Sequence, residues 1–502
     1  VVAPVAPSSS GDIEELAKGG RTNFLGFLLR LAARIPFLFI AGRIYGAEAL
    51  GRFAYAVIVV EFAAQLATLG LRRGLADQLT RTDRPHGHVV ADALFVGTVA
   101  SALVAGLLAM VPGMMFPNSR INGLEWLLPL TVFALVWSDI ALAALAYRLD
   151  IAAMVKARSI VEPWTISIAA FLLSYYSLRD GLILSYVASM AAALVASLWP
   201  LWRSYGWPHG WRSRPSCLIE MVRRNLPLAA ADAIEWGSRR LDIAILGLLF
   251  SPAIVGIYYV AQQVASLPQK LKTSFDPILG PVITQKLGEG DRPAVARQVR
   301  QVGFWIIAAQ AGVALCLGIP GEAVMGLVGP NFVGGTGALA FLLAAEVVAA
   351  TAVVSEAALI YVARKRNLVI SLAMIAVQVV LSFAIVHLMR RFDWPLLVQA
   401  AGPALAMTLA LGFASIAKAR LLARLLGAPV SGWRWALVYA TLPAVAVGWV
   451  MTLLPEWLEL IVGIPAILAV YGAVIWYRGF GPEDRELFRM KPPATPRLAQ
   501  EI

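Results

Sequence analysis

The stretch Asp232-Ala-Ile-Glu235-Trp236-Gly237-Ser-Arg239-Arg240-Leu-Asp242 sets five ionisable side chains inside an otherwise apolar run, roughly Leu226 to Phe250. A run of that length suits a membrane-spanning helix. Asp232, Glu235, Arg239 and Asp242 recur at helical spacing, so they share one face. A charge at the bilayer centre costs about 2.5–3.5 kcal/mol even on the lenient insertion scale. The face must therefore look onto other helices or a water-filled cavity. Guanidinium groups stay charged and grip phosphate oxygens bidentately, so the chemistry indicated is capture of an anion, with carboxylates as counter-charge. Neutralisation within the helix is the competing reading: Glu235 and Arg239 are an i, i+4 pair, and Arg239 and Asp242 an i, i+3 pair. Arg239 and Arg240 are adjacent and point in different directions.

A second charged stretch answers the first. Arg30 and Arg34 stand one turn apart in an apolar run from about Asn23 to Gly42, ahead of Pro36. The segments that follow the two runs correspond. Gly51, Phe53 and Ala56 match Gly256, Tyr258 and Ala261 at a constant offset, and the same offset carries Arg34 onto Arg239 but Arg30 onto Glu235. Half of the chain reads as repeated, with a period that fits six helices and their loops.

These helices sit in a chain built for a bilayer. Of 502 residues, 59% are hydrophobic and only 14% charged, which excludes an ordinary soluble globule and a disordered chain. Fourteen spans are expected: about Asn23–Gly42, Phe53–Gly70, Val89–Val111, Leu124–Ala146, Ile160–Leu178 and Leu182–Trp202, then Leu226–Phe250, Ile254–Phe275, Val302–Ile319, Thr336–Val362, Leu368–Met389 and Leu396–Ala417, and last Trp435–Leu454 and Leu460–Tyr477. The eighth is expected to break or emerge near Pro268. With both termini placed in the cytoplasm, the inner segments hold 30 Lys and Arg residues and the outer loops 6. That asymmetry fixes the orientation and accounts for the net charge of +12 without nucleic acid. The polar segment Val1 to Gly20 reads as a cytoplasmic lead-in. The expected organisation is an N-terminal lobe of six helices (1–203), a cytoplasmic linker (204–225), a C-terminal lobe of six helices (226–417), and two extra helices with a cytoplasmic tail (418–502).

Further charges bear on the same chemistry. Lys270 and Lys272 lie at the inner end of the eighth span, where they would either snorkel to the surface or receive a phosphate at the cavity mouth. Glu61 joins Asp232, Glu235 and Asp242 as a candidate for ion coupling or charge pairing. His86-Gly-His88 has no third ligand nearby, and Cys217 and Cys316 form no cluster, so neither a metal nor a cofactor is expected. No Gly-x-x-x-x-Gly-Lys-Ser/Thr loop is present, which argues against ATP-driven transport by this chain alone. The outer loops are short and poor in charge, which disfavours a membrane polymerase or ligase.

Arg43-Ile-Tyr45-Gly46-Ala-Glu-Ala-Leu50-Gly51-Arg-Phe53, Asp242-Ile-Ala-Ile-Leu-Gly247, Val255-Gly256-Ile-Tyr258-Tyr259-Val-Ala261, Phe275 through Pro281 and the Gly288-Glu-Gly290-Asp291 loop together carry a family likeness. The chain resembles the polysaccharide (oligosaccharide) flippases of the multidrug/oligosaccharidyl-lipid/polysaccharide exporter superfamily. The resemblance implies an all-α membrane protein of about 14 transmembrane helices. Two six-helix lobes would stand in a V-shaped alternating-access arrangement, with two extra C-terminal helices. It implies a transporter, not an enzyme. Undecaprenyl-pyrophosphate-linked oligosaccharide would pass from the inner to the outer leaflet of a bacterial inner membrane, for O-antigen or exopolysaccharide biosynthesis. The implied partners are that glycolipid, membrane lipids and polysaccharide polymerase machinery. The residues implied to grip the pyrophosphate are Arg30, Arg34, Arg239 and Arg240, with Lys270 and Lys272 at the inner mouth. A lipid II flippase and a multidrug exporter of the same superfamily are the alternatives. Cationic drug substrates fit poorly with central arginines.

Overall fold

A computed structural model describes residues 35–81, 83–119, 124–273 and 291–481, with 283, 287, 289 and 484; in the helix that ends at Thr273, side chains are described through Pro268. Among the described residues every regular element is helical. The first helix, α1 (35–45), closes in a π-turn, Ala41–Tyr45. It is followed by α2 (Gly46–Ala67), α3 (Leu71–Arg81), α4 (His86–Met110), α5 (Thr131–Tyr147), α6 (Glu162–Leu173) and α7 (Gly181–Tyr205). After the linker come α8 (Pro215–Leu249), α9 (Pro252–Thr273), α10 (Arg292–Gly318), α11 (Thr336–Val362), α12 (Arg364–Arg391), α13 (Gly402–Leu426), α14 (Ala436–Met451) and α15 (Ile464–Val474). Among the described residues, the expected spans from the second to the fourteenth fall on these helices, as does the end of the first, Ile35 to Gly42; α3 and the short helices Ile151–Val155, Gly321–Val328 and Glu456–Leu458 are additional. Eight stretches among the described residues are long and apolar enough to cross a bilayer on their own, and α5 and α14 are shorter apolar helices. The chain is an all-α, multi-pass membrane protein.

Two differences from the sequence expectation have local causes. The helix α8 begins at Pro215, inside the expected linker, because proline suits the first helical turn. At 35 residues it is roughly 52 Å long, well beyond a bilayer core of about 30 Å. The connection between α7 and α8 shortens accordingly, and it is tied to α4: Trp211 Nε1 donates to buried Asp92 at 2.8 Å, and Arg84 pairs with the same carboxylate at 2.7 Å. The second difference is that α9 continues through Pro268 to Thr273 instead of breaking there. Spanning helices tolerate proline when neighbours satisfy freed backbone groups. Gln310 of α10 donates to the Pro268 carbonyl at 3.4 Å.

The chain forms two compact units. The first comprises the described chain up to Val260 together with Met325–Gly335 and Ser382–Pro403; the second takes Ala261–Val324, Thr336–Leu381 and the described chain from Ala404 on. In the first unit the backbones of α2 and α9 touch. A Cβ added to Gly51 would lie 1.7 Å from the Pro252 carbonyl oxygen, and one added to Gly256 would lie 2.0 Å from that of Ala47. These are the two glycines that the internal repeat aligns. Small residues permit such contact where apolar burial alone does not drive helices together.

The second unit is organised around Phe304, which is fully buried among Val299, Ile307, Leu422, Leu437 and Ile475. Here α14 and α15 pack into the core, and Tyr471 Oη donates to the Ala308 carbonyl at 3.0 Å. Asp484 ties them down. It accepts from Trp305 Nε1 at 2.9 Å, from Arg434 Nη1 at 2.7 Å and from the Gly481 amide at 2.9 Å, while Arg434 also lies 3.9 Å above the Phe304 ring. Burial opposes ionisation of Asp484, but the Arg434 hydrogen bond, the Gly481 amide, the Arg434 charge and the Trp305 indole outweigh it and hold the carboxyl below its ordinary value.

Two measurements of thermal unfolding in detergent check these contacts. Replacing Gly51 by Ala should destabilise the protein by about 1–3 kcal/mol, the usual cost of overpacking, because a backbone carbonyl must move. A depressed carboxylate pKa adds stability that is complete above the unfolded value and is lost as pH falls through the folded one. Asp484→Asn should therefore lower Tm at neutral pH, and its deficit against wild type should close below about pH 4. A deficit that persisted in acid would assign the loss to packing instead of charge.

A charged network on the seventh spanning helix

The helix α8 runs antiparallel to α2, and the pairs that meet along it place its charges in depth. A Cβ on Gly70 would meet the backbone of Asn225 and Ala229, Phe62 stacks on Trp236 with ring centroids 5.4 Å apart, and a Cβ on Gly247 would strike the Tyr55 ring. The corner after α2 is formed by Leu69 and Gly70, at φ 51° and 72°. Glycine takes this conformation without penalty. The corner starts α3, whose Leu71, Leu75 and Leu79 are fully buried and whose polar face carries Arg72, Arg73, Asp77 and Arg81.

That corner delivers Arg73 to α8. Its Nε lies 2.7 Å from Oδ1 of Asp232, whose side chain is completely buried, and its Nη2 donates to Glu235 Oε2 at 2.7 Å. The other oxygen of Glu235 accepts from Arg239 Nη2 at 3.1 Å. The carboxylate of Glu235 is thus held between two guanidinium groups, and Arg73, Glu235 and Arg239 are each about half exposed, at 45%, 50% and 46%. A second pair reinforces the junction one turn along α3, where Asp77 meets Arg224 at 3.2 Å and Arg81 at 2.7 Å. Asp242 lies elsewhere on α8: it is fully buried and accepts from Tyr258 Oη of α9 at 2.7 Å. Arg240 is partly buried.

Among the described residues, the carboxylates of Asp232 and Glu235 face the guanidinium groups of Arg73 and Arg239. A half-exposed guanidinium on a spanning helix can accept an anion bidentately, provided its carboxylate partner has another cation to turn to. Arg73 is that cation.

Other charges are also drawn into pairs. In the first unit, Arg158 sits on the π-turn Lys156–Val161 ahead of α6 and bonds both Asp139 of α5 and, at 2.8 Å, Glu162. Glu61 of α2 is partly buried. Near the other end of α2, Arg52, expected in an outer loop, is buried on the helix, 3.8 Å from Asp180. In the second unit, Lys418 has a buried side chain that meets Glu356 at 2.9 Å and the Ser371 hydroxyl at 3.1 Å.

Residues 40–315, more than half of the chain, match the family model described as polysaccharide biosynthesis protein. The chain belongs to this family. No curated protein matches the chain. Among solved structures, this polysaccharide biosynthesis protein is similar to the lipid II flippase MurJ in its inward closed conformation, with 12% identity and a TM-score of 0.65 over 93% of this chain and 100% of that one. It is similar to a multidrug resistance MATE family transporter of the MOP superfamily in its inward-facing conformation, with 12% identity and a TM-score of 0.64 over 80% of this chain and 94% of that one. The outward-facing conformation of such a transporter gives 12% identity and a TM-score of 0.56 over 82% and 95%. At these identities the likeness establishes the fold.

Of the expected site residues in this family member, Asp232, Glu235 and Arg239 come together, and Asp242 and Glu61 occupy other surroundings. Arg30 and Arg34 lie outside the described residues, as do the side chains of Lys270 and Lys272. The residue that sequence reasoning missed is Arg73, counted only as an inner-loop charge. Its signal was present: Leu71, Leu75 and Leu79 repeat every four residues after Gly70 and mark an amphipathic helix.

Removing Arg73 should leave Asp232 buried without its counter-charge. Arg73→Ala is expected to lose about 1–3 kcal/mol of stability, the cost of an uncompensated buried polar group. Adding Asp232→Asn should restore much of it, as read by thermal unfolding of the single and double variants. Equal losses in both would show that the pair contributes little.

Proposed function

We propose that this protein translocates undecaprenyl-pyrophosphate-linked oligosaccharide from the inner to the outer leaflet of a bacterial inner membrane, for surface polysaccharide such as O-antigen or exopolysaccharide. The observation that carries this reading is the family match over residues 40–315. A fold shared with a lipid II flippase and with multidrug transporters supports transport over catalysis. The charge asymmetry of the loops supports cytoplasmic termini. Two six-helix lobes, formed by the first and second six spans, would rock about the site. The glycan lipid would leave this protein for the polymerase machinery.

On this reading the pyrophosphate is held by arginines of the first and seventh spans: Arg30 and Arg34, with Arg239 and Arg240. Lys270 and Lys272 receive it at the inner mouth. The half-exposed guanidinium of Arg239 supports the assignment, because a residue serving only to pair with Glu235 has no need of an open side. Asp232, Glu235, Asp242 and Glu61 balance these cations while no substrate is bound, and one or more of them couples transport to an ion.

The test is transport of a lipid-pyrophosphate oligosaccharide by reconstituted wild type, Arg34→Ala, Arg239→Ala and the double variant, with folding checked for each. Each single variant should lose roughly tenfold or more, as expected when a charge-assisted hydrogen bond worth about 1.5–3 kcal/mol is removed. Wild-type transport by well-folded variants would overturn the site assignment. Lipid II as a parallel substrate separates the two flippase readings.

A further inference from the structure

The carboxylate of Glu235 is shared: one oxygen takes Arg73 of α3 and the other takes Arg239 of its own helix. The two guanidinium groups are not equivalent. Arg73 is also held by the fully buried Asp232, and α3 is further tied to α8 through Asp77 and Arg224. Arg239 has Glu235 one turn back on the same helix, so that partner stays within reach wherever α8 goes. Resting on the reading that Arg239 binds pyrophosphate, we propose that Arg73 is a positioning residue that sets the availability of Arg239. While α3 is seated on α8, Arg73 shares the Glu235 carboxylate and weakens its hold on Arg239, so that an anionic headgroup can displace it. When α3 lifts, Glu235 loses the competing guanidinium, holds Arg239 more tightly and displaces the anion.

The relation runs both ways by linkage: an anion on Arg239 frees Glu235 for Arg73 and so tightens the seat of α3. The inner-loop charge asymmetry assigns α3 to the cytoplasmic end, so headgroup capture and closure of that end are coupled through a single carboxylate. Phe62 stacked on Trp236 holds α2 and α8 in register beside it.

The experiment is a titration of the detergent-solubilised full chain with a prenyl pyrophosphate by calorimetry, comparing wild type with Arg73→Ala, Glu235→Gln, Arg73→Ala/Glu235→Gln and Arg239→Ala. A half-exposed ion pair is worth up to about 1 kcal/mol, so Arg73→Ala should weaken binding by up to about fivefold. Glu235→Gln should bind at least as well as wild type. The double variant should recover wild-type affinity or better, since Glu235 then no longer captures Arg239. A residue that only stabilises the fold would not be rescued in this way. Binding by Arg73→Ala equal to wild type, or a double variant as weak as Arg73→Ala, would overturn the proposal while leaving Arg239 as a ligand. Wild-type affinity in Arg239→Ala would overturn the Arg239 assignment itself. If Arg73→Ala fails to fold, the same set in an Asp232→Asn background, which removes the buried charge, gives the comparison.

Discussion

A charge carried on a spanning helix must find a counter-charge or water, and in this protein that requirement decides which helices touch. Asp232 is completely buried on α8, so α3 is brought to it by Arg73. Asp139 on α5 draws in the turn that carries Arg158, and Glu356 on α11 meets Lys418 of α13. In the second unit, Asp484 gathers Arg434 and Trp305 and thereby fixes the last two helices to the core. Apolar side chains find lipid as comfortable as protein, so they specify little about neighbours. The ion pairs and the small-residue contacts supply the specificity.

The glycines act by the complementary route. Gly51 and Gly256 let two backbones meet where any side chain would collide. The contact joins the segment after the first span to the segment after the seventh, the two spans that bear the arginines in question.

Much of this was legible in the sequence. Hydropathy predicted the spans on which the described helices lie, and helical spacing predicted one face for Asp232, Glu235, Arg239 and Asp242, of which the first three come together while Asp242 meets Tyr258. The length of this helix was less legible, because α8 extends ahead of the apolar run that begins near Leu226, into the basic linker as far as Pro215. Partners on other helices were not legible at all. Arg73, Arg158, Lys418 and Arg434 all read as loop charges that set topology, since a count of Lys and Arg cannot distinguish a solvated side chain from one that reaches back into the bundle. Only the three-dimensional path of α3, starting from the Leu69–Gly70 corner, reveals that Arg73 completes the α8 network.

The central claim is that a lipid pyrophosphate glycan crosses the bilayer through this protein. The most direct measurement places the purified wild type in vesicles with a lipid-pyrophosphate oligosaccharide loaded on one leaflet, and follows the glycan's exposure to a membrane-impermeant glycosidase on the other side. The account predicts exposure that rises with the amount of protein and is absent from protein-free vesicles. Exposure no faster than in protein-free vesicles, from protein shown to be folded, would contradict it.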